Sequence, residues 1–350
     1  MVEGTSGADH FEFYAAKPEE NDHAIVLNGL SQTIDATMNT QVVFYGRGGA
    51  DDVFLTGGSG VDKADLRETS AKLTGVSYQI LIYSVRFTTV HSGGGQDKAY
   101  FYDTLGDDLY ESSAIATVLS GAGYEHQAHN FHRAYAIASE GYDHARFYDS
   151  EADDRFKATP ADARMYGDEY YNFGRNFELV EGFSTAGGND RAYLYDSLSD
   201  DVLEMKAVES SLIGATFENV VHGFPRVYAY ASGGYDEVVF HDTVGDDYYK
   251  VDHHGARMYG DGYYNRALDF DNHTVFFSTA PDKDRVSLTD SSGSDGFVVS
   301  EIQLLMSRNN VDHHIHNPIS VFVQQTNGVD YYHIYSVHFN LEMEGDWIAV

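Results

Sequence analysis

The stretch "GGNDRAYLYDSLSDDVLEM", Gly187 to Met205, has two close copies and one weaker one in the same chain. "GGGQDKAYFYDTLGDDLYE" runs from Gly93 to Glu111, "GGYDEVVFHDTVGDDYYK" from Gly233 to Lys250, and "EGYDHARFYDSEADDRF" from Glu140 to Phe156. The aspartate after the glycines recurs at Asp51, Asp97, Asp143, Asp190, Asp236, Asp284 and Asp330, in steps of 46, 46, 47, 46, 48 and 46. A second marker, Gly29, Gly75, Gly121, Gly167, Gly214 and Gly260, steps by 46, 46, 46, 47 and 46. Two independent markers in step establish a true internal repeat.

Within a copy the pattern has period two. Ala192 and Leu194 are apolar in "DRAYLYD", and the same slots hold Ala99 and Phe101, Ala145 and Phe147, Val238 and Phe240, Val286 and Leu288. Such alternation buries one face of a strand, and turn residues bound each run. The spacing predicts an all-β chain: a parallel β-solenoid of seven 46-residue repeats with two coils per repeat. A seven-bladed β-propeller is the alternative, since blades have a similar length. The slip in "GGADDVFLTGGSGVDKADL" (Gly48 to Leu66) favours the solenoid, because a closed ring tolerates an irregular repeat poorly. One repeat domain is expected over residues 1–350: an irregular N-terminal cap at 1–47, regular repeats at 48–299 and an atypical C-terminal cap at 300–350.

Lys plus Arg number 22 against 55 Asp plus Glu, a formal net charge of −33. That field repels nucleic acid and anionic membranes, so neither is the expected partner. Cysteine is absent, and no apolar run is long enough to insert into a membrane. The opening "MVEGTSGADHFEFY" lacks the regions of a signal peptide, so any secretion signal is expected to lie outside these residues.

"GGNDRAYLYDSLSDD" resembles the tandem acidic repeats of large secreted or surface proteins of environmental bacteria. "GGADDVFLTGGSGVD" is similar, over that short stretch, to the glycine-aspartate nonapeptides of calcium-binding β-roll proteins, although its glycines do not recur every nine residues. The expected coil length also resembles that of right-handed β-helix polysaccharide lyases and epimerases, a likeness of architecture and not of motif. These resemblances imply a secreted or cell-surface location, an extracellular polysaccharide as partner and calcium as the one cofactor.

The outward strand positions carry the chemistry. His144, Arg146, Tyr148, Arg191, Tyr193 and Tyr195 combine the groups a uronate lyase or epimerase needs: Arg to neutralise a carboxylate, and His or Tyr to move protons. Lys98, Tyr100, Tyr102, Arg133, Tyr135, Arg226, Tyr228, Tyr230 and His241 are the expected glycan-binding positions. With two coils per repeat, equivalent side chains would stand roughly 9.5 Å apart, near a disaccharide's length. The same residues also suit a purely structural ladder, because tyrosine is a good strand former, so the alternative is a non-catalytic, calcium-rigidified structural or adhesive segment of a larger surface protein. A neutral-glucan hydrolase using two carboxylates is a third reading, and the sequence singles out no pair.

Acidic turns recur as Asp103, Asp107 and Asp108; Asp149, Asp153 and Asp154; Asp196, Asp200 and Asp201; and Asp242, Asp246 and Asp247. They offer oxygen ligands to calcium, or alternatively satisfy their own turns. Tyr78, Tyr124, Tyr170, Phe217 and Tyr263 read as a packed aromatic column. "DHHIH" breaks the repeat, and His314 and His316 with His333 could bind a transition metal or form a polar cap.

Overall fold

The alternation read from the sequence is what the computed structural model builds. It describes residues 1–279 and 282–350, and among them every regular element is a strand. In Arg191–Tyr195 the inward Ala192 and Leu194 are fully buried between half-buried neighbours. The described residues form two compact units, one of 1–154, 161–182 and 186–188, the other of 155–160, 183–185 and 189–350. Each is a β-solenoid in which parallel strands stack into two facing sheets around an apolar core. The propeller is not formed.

In the first unit, Lys98–Tyr102 pairs in parallel with Lys63–Arg67 on one side and Arg133–Ile137 on the other. In the second, Arg191–Tyr195 lies between Arg155–Ala158 and Arg226–Tyr230. The residue step between paired strands is 35 for Lys63, Lys98 and Arg133, and 38 from Arg133 to Tyr171. That step is not the 46 of the sequence repeat, and the two-coil expectation is corrected here. Each repeat holds five strands, as in Lys98–Tyr102, Leu109–Ser112, Ala116–Gly121, Tyr124–His129 and Arg133–Ile137. The middle three form an antiparallel meander within one sheet, and the outer two lie in the other. The chain therefore crosses between sheets three times per repeat, one and a half turns. Consecutive copies occupy opposite sheets: Lys98–Tyr102 is in one sheet of the first unit and His144–Tyr148 in the other. In the second unit Arg191–Tyr195 and Glu237–His241 divide in the same way.

The meander is closed by tight hairpins, where Gly121 pairs with Tyr124 and Gly260 with Tyr263. Gly123 and Gly262 sit at φ of 84° and 78°, the left-handed geometry that two-residue hairpins require. Between the sheets, aromatic rings meet across the core, as Phe101 does Tyr110 and Phe240 does Tyr249. Four repeats also bury one polar side chain there. His126, Asn172, Asn219 and Asn265 donate to the backbone carbonyls of Arg67, Ser113, Thr159 and Lys206 at 2.8 to 3.2 Å. A buried amide so bonded locks one register, since a slip would orphan both groups.

Candidate functional site

Two constellations stand out: buried carboxylates at the corners and a basic, tyrosine-bearing outer face.

At the corner after Lys98–Tyr102, Thr104 donates from its backbone N–H and its hydroxyl to Asp108 at 2.8 and 2.9 Å. The Asp108 N–H donates in turn to Asp143 Oδ1, 2.9 Å away and one coil further on. Asp201 to Asp236, Asp247 to Asp284 and Asp295 to Asp330 repeat that link. The result is four carboxylate triads, Asp103/Asp108/Asp143, Asp196/Asp201/Asp236, Asp242/Asp247/Asp284 and Asp290/Asp295/Asp330, each with oxygens within 4.8 Å of one another. These clusters could hold a metal ion.

Of the twelve aspartates expected to offer calcium ligands, six belong to these triads: Asp103, Asp108, Asp196, Asp201, Asp242 and Asp247. Asp107, Asp200 and Asp246 point elsewhere, accepting the backbone N–H groups of Tyr142, Tyr235 and Lys283. They tie their turns to the neighbouring coil, 35 to 37 residues on. The third member of each triad is the aspartate that marks the sequence repeat, and the signal that identifies it is the 35-to-37-residue coil step. At the remaining corner Asp149 and Asp154 accept from Ala186 and Ser150, with Asp153 exposed between them.

Burial pushes Asp143 and Asp284 up to about 7 and Asp236 up to about 6. Neighbouring carboxylates add to the effect, and the backbone N–H bonds oppose it. Each triad contains one carboxylate oxygen with no hydrogen-bond donor: Asp143 Oδ2, Asp201 Oδ1, Asp284 Oδ2 and Asp290 Oδ2. Asp201 has a local reason. Tyr78, Tyr124 and Tyr263 donate their hydroxyls to Asp62, Asp108 and Asp247 at 2.7 to 2.8 Å, and Phe217 has no hydroxyl to give. All five aromatics are buried core, as expected, but they alternate between the sheets and form no single column, and three of them have a hydrogen-bonding role that the sequence alone did not reveal.

The outer faces divide by charge. In the second unit, one sheet presents Arg155, Lys157, Arg191, Arg226, Lys250, Arg257, Arg266 and Arg285 on its solvent side. In the first unit the equivalent face carries Lys63, Arg67, Lys72, Lys98, Arg133, Arg164 and Arg175. Those two faces hold 15 of the chain's 22 Lys and Arg residues. Tyrosines interleave them. Tyr193 stacks on Tyr228 and Tyr195 on Tyr230 at 5.3 and 5.0 Å, and Tyr100 stacks on Tyr135 at 5.0 Å. Lys157 lies over Tyr195 at 4.1 Å and Arg67 over Tyr102 at 3.7 Å. A shallow depression of about 510 Å³ beside Arg226, Tyr228 and Tyr264 and another of about 400 Å³ beside Lys63 and Tyr102 open on these faces. The other sheet of the second unit instead presents Glu204, Glu209, Glu218 and Glu237. His241, expected to bind glycan, belongs to that face and pairs with Glu204 at 3.0 Å.

The six expected catalytic residues fall into two environments. His144, Arg146 and Tyr148 lie in the first unit, on the sheet opposite its basic face. There Glu181 accepts from His144 at 2.7 Å and Arg146 at 3.1 Å, and Tyr148 donates to Glu111 at 3.3 Å. Arg191, Tyr193 and Tyr195 lie in the second unit on its basic face, beside Arg226, Tyr228 and Tyr230. The 9.5 Å row of equivalent residues does not form, because consecutive copies change sheets. What does form is closer: the first and last strands of a repeat are neighbours, one strand spacing of about 4.8 Å apart.

The histidine set is not one cluster either. His314 and His316 are on Val311–His316, and His333 is on Tyr331–Val337, with Gln303–Arg308 and Gly296–Glu301 between them. His316 stacks on Phe276 at 4.9 Å.

No protein-family model matches the chain, and no curated protein does.

Proposed function

We propose that this solenoid binds an acidic, uronate-rich extracellular polysaccharide on the basic, tyrosine-bearing faces, and acts outside the cell as a secreted or surface protein. One observation carries the reading. A chain with a net charge of −33 gathers 15 of its 22 Lys and Arg residues on two sheet faces, whose strands carry only six of the acids, Glu3, Asp65, Asp162, Asp252, Glu342 and Glu344. Charge neutralisation within the protein would scatter those bases among the 55 acids. Guanidinium groups pair with carboxylates in bidentate fashion, and an open face suits a long polymer better than a small molecule.

Binding is the function supported, ahead of cleavage. A lyase needs a base near the C5 proton. Burial and neighbouring tyrosines raise the pKa of Tyr230, which keeps its phenol a donor at neutral pH. Burial and the adjacent Arg146 lower the pKa of His144 against the pull of Glu181, but it sits on the opposite sheet of its unit from the basic face. The test is affinity electrophoresis on a polyuronate, a neutral β-glucan and a sulfated glycan, with ultraviolet absorbance and reducing ends followed in parallel. Retardation by the polyuronate with neither product is the expected result. Binding to the neutral glucan alone would overturn the reading. Unsaturated product would promote His144, Arg146 and the Tyr193 row to catalytic candidates.

A second, compatible reading rests on the orphaned oxygens of the aspartate triads: calcium held at the corners stiffens the coils. Three carboxylates within 4.8 Å, at least two of them buried, repel one another, and a hard cation that takes oxygen ligands removes that cost. Calorimetric titration of chelator-treated protein is expected to show calcium uptake that Asp143→Asn and Asp284→Asn each reduce.

A further inference from the structure

Deepening the polysaccharide reading, on which it rests, we propose that the in-register basic rows Arg155/Arg191/Arg226 and Lys63/Lys98/Arg133 bind consecutive carboxylates of a polyuronate laid across the strands. Arg155 is directly opposite Arg191, and Arg191 directly opposite Arg226, across three hydrogen-bonded strands. In the first unit Lys63, Lys98 and Arg133 occupy the same three places. Like charges placed opposite one another destabilise a sheet, so a row of three needs compensation. Lys63 has some in Asp65, at 2.7 Å. Among the described residues, Arg155, Arg191 and Arg226 have no ion pair, although acids outnumber bases 55 to 22 in the chain. The compensation therefore comes from outside the protein.

Three features define the ligand. The first is spacing. Strand separation places a cation about every 4.8 Å along the row, close to the advance of one pyranose residue, so a polymer with one carboxylate per sugar stays in register. A sparsely charged glycan would match the row only at intervals.

The second is what lies beside the row. Tyr193 and Tyr228 are stacked on each other at 5.3 Å with an interplanar angle of 14°. One face of each ring is thereby engaged by the other, and each phenol keeps a hydroxyl that can donate. A surface of phenol and guanidinium donors fits the hydroxyls and carboxylates of a uronate. Nucleic-acid bases need free ring faces to stack on, and the pair turns one face of each ring inward.

The third is range. The net charge repels any polyanion at a distance, but the repulsion is screened beyond about 8 Å at physiological salt, while the row acts on contact.

The test compares wild type with Arg191→Gln/Arg226→Gln, and with the charge-retaining Arg191→Lys/Arg226→Lys, all checked by circular dichroism and melting. Binding is measured to a homopolymeric polyuronate, to a glycan with one carboxylate in every second sugar, and to oligo-dT. Wild type is expected to prefer the homopolymer. The glutamine variant should lose at least tenfold in affinity and about two from the slope of log K against log salt, and the lysine variant should recover part of both. If wild type binds the polyuronate and the glutamine variant binds it equally well, the row is wrong and the broader reading stands. If wild type binds no acidic glycan, that reading fails. Tighter binding to oligo-dT than to the polyuronate would overturn the assignment of the ligand.

Discussion

At the scale of single residues, three copies of the repeat are held by a tyrosine–aspartate bond that the Phe217 copy lacks. Tyr124 and Tyr263 each pass over a marker glycine to reach a corner aspartate. A Cβ on Gly121 would come within 1.8 Å of Asp108 Oδ1, and one on Gly260 within 2.0 Å of Asp247 Oδ1. The glycine marker and the tyrosine that follows it are therefore one motif: the glycine clears the path of the bond. Replacing Tyr263 by Phe should cost about 1 to 3 kcal/mol, because Asp247 Oδ1 is left buried without its donor. Phe217→Tyr should stabilise, since it supplies Asp201 with the hydroxyl that the other copies have. Chemical denaturation of the two variants checks both signs, and a neutral Tyr263→Phe would show that the bond contributes nothing net.

At the scale of elements, the half-turn excess of each repeat depends on the meander and its hairpin. Gly260→Ala places a methyl 2.0 Å from Asp247 Oδ1 and 2.8 Å from the Tyr263 ring. Gly106→Ala, at a corner turn, meets nothing closer than Thr104 Oγ1 at 3.7 Å. The expected outcome is a clear fall in melting temperature for the first and little change for the second. Equal melting temperatures would contradict the close approach at the hairpin. The aspartate links belong to this scale too. An Asp108 or Asp201 N–H donating to the aspartate one coil away ties successive turns at the corner, beside the backbone bonds from His144 N–H to Asp108 O and from Glu237 N–H to Asp201 O.

For the whole molecule, the buried aspartates couple stability to pH and to cations. Asp143, Asp236 and Asp284 have folded pKa values raised to about 6 to 7, above the ordinary 3.8. Between pH about 4 and about 7 the folded state thus holds more protons than the unfolded one. Their stabilisation is full below pH about 4 and is lost as pH rises through 6 to 7. In chelator, at fixed ionic strength, the melting temperature should fall over that window, and calcium at pH 8 should restore it, because the ion binds the deprotonated carboxylates. Asp143→Asn/Asp284→Asn should flatten both responses. A fall that is unchanged in that variant would assign the effect to the general repulsion of a −33 chain instead.

The sequence by itself determined the strands, the inward and outward residues, the 46-residue period and the solenoid. Those follow from alternation and turn chemistry, which act over a few residues and leave a local trace in "RAYLYD" and "GGND". The tertiary structure decided the coil step, and with it every neighbour relation between repeats. Five strands with an antiparallel meander give three crossings, an odd number, so the same written stretch alternates between sheets. That is why Arg191 stands beside Arg226, and why Asp143 completes the pair Asp103 and Asp108. Periodicity reports which side of a strand a residue takes. Which strand lies next to it depends on where the chain crosses, and that is set by pairing between segments about 35 residues apart.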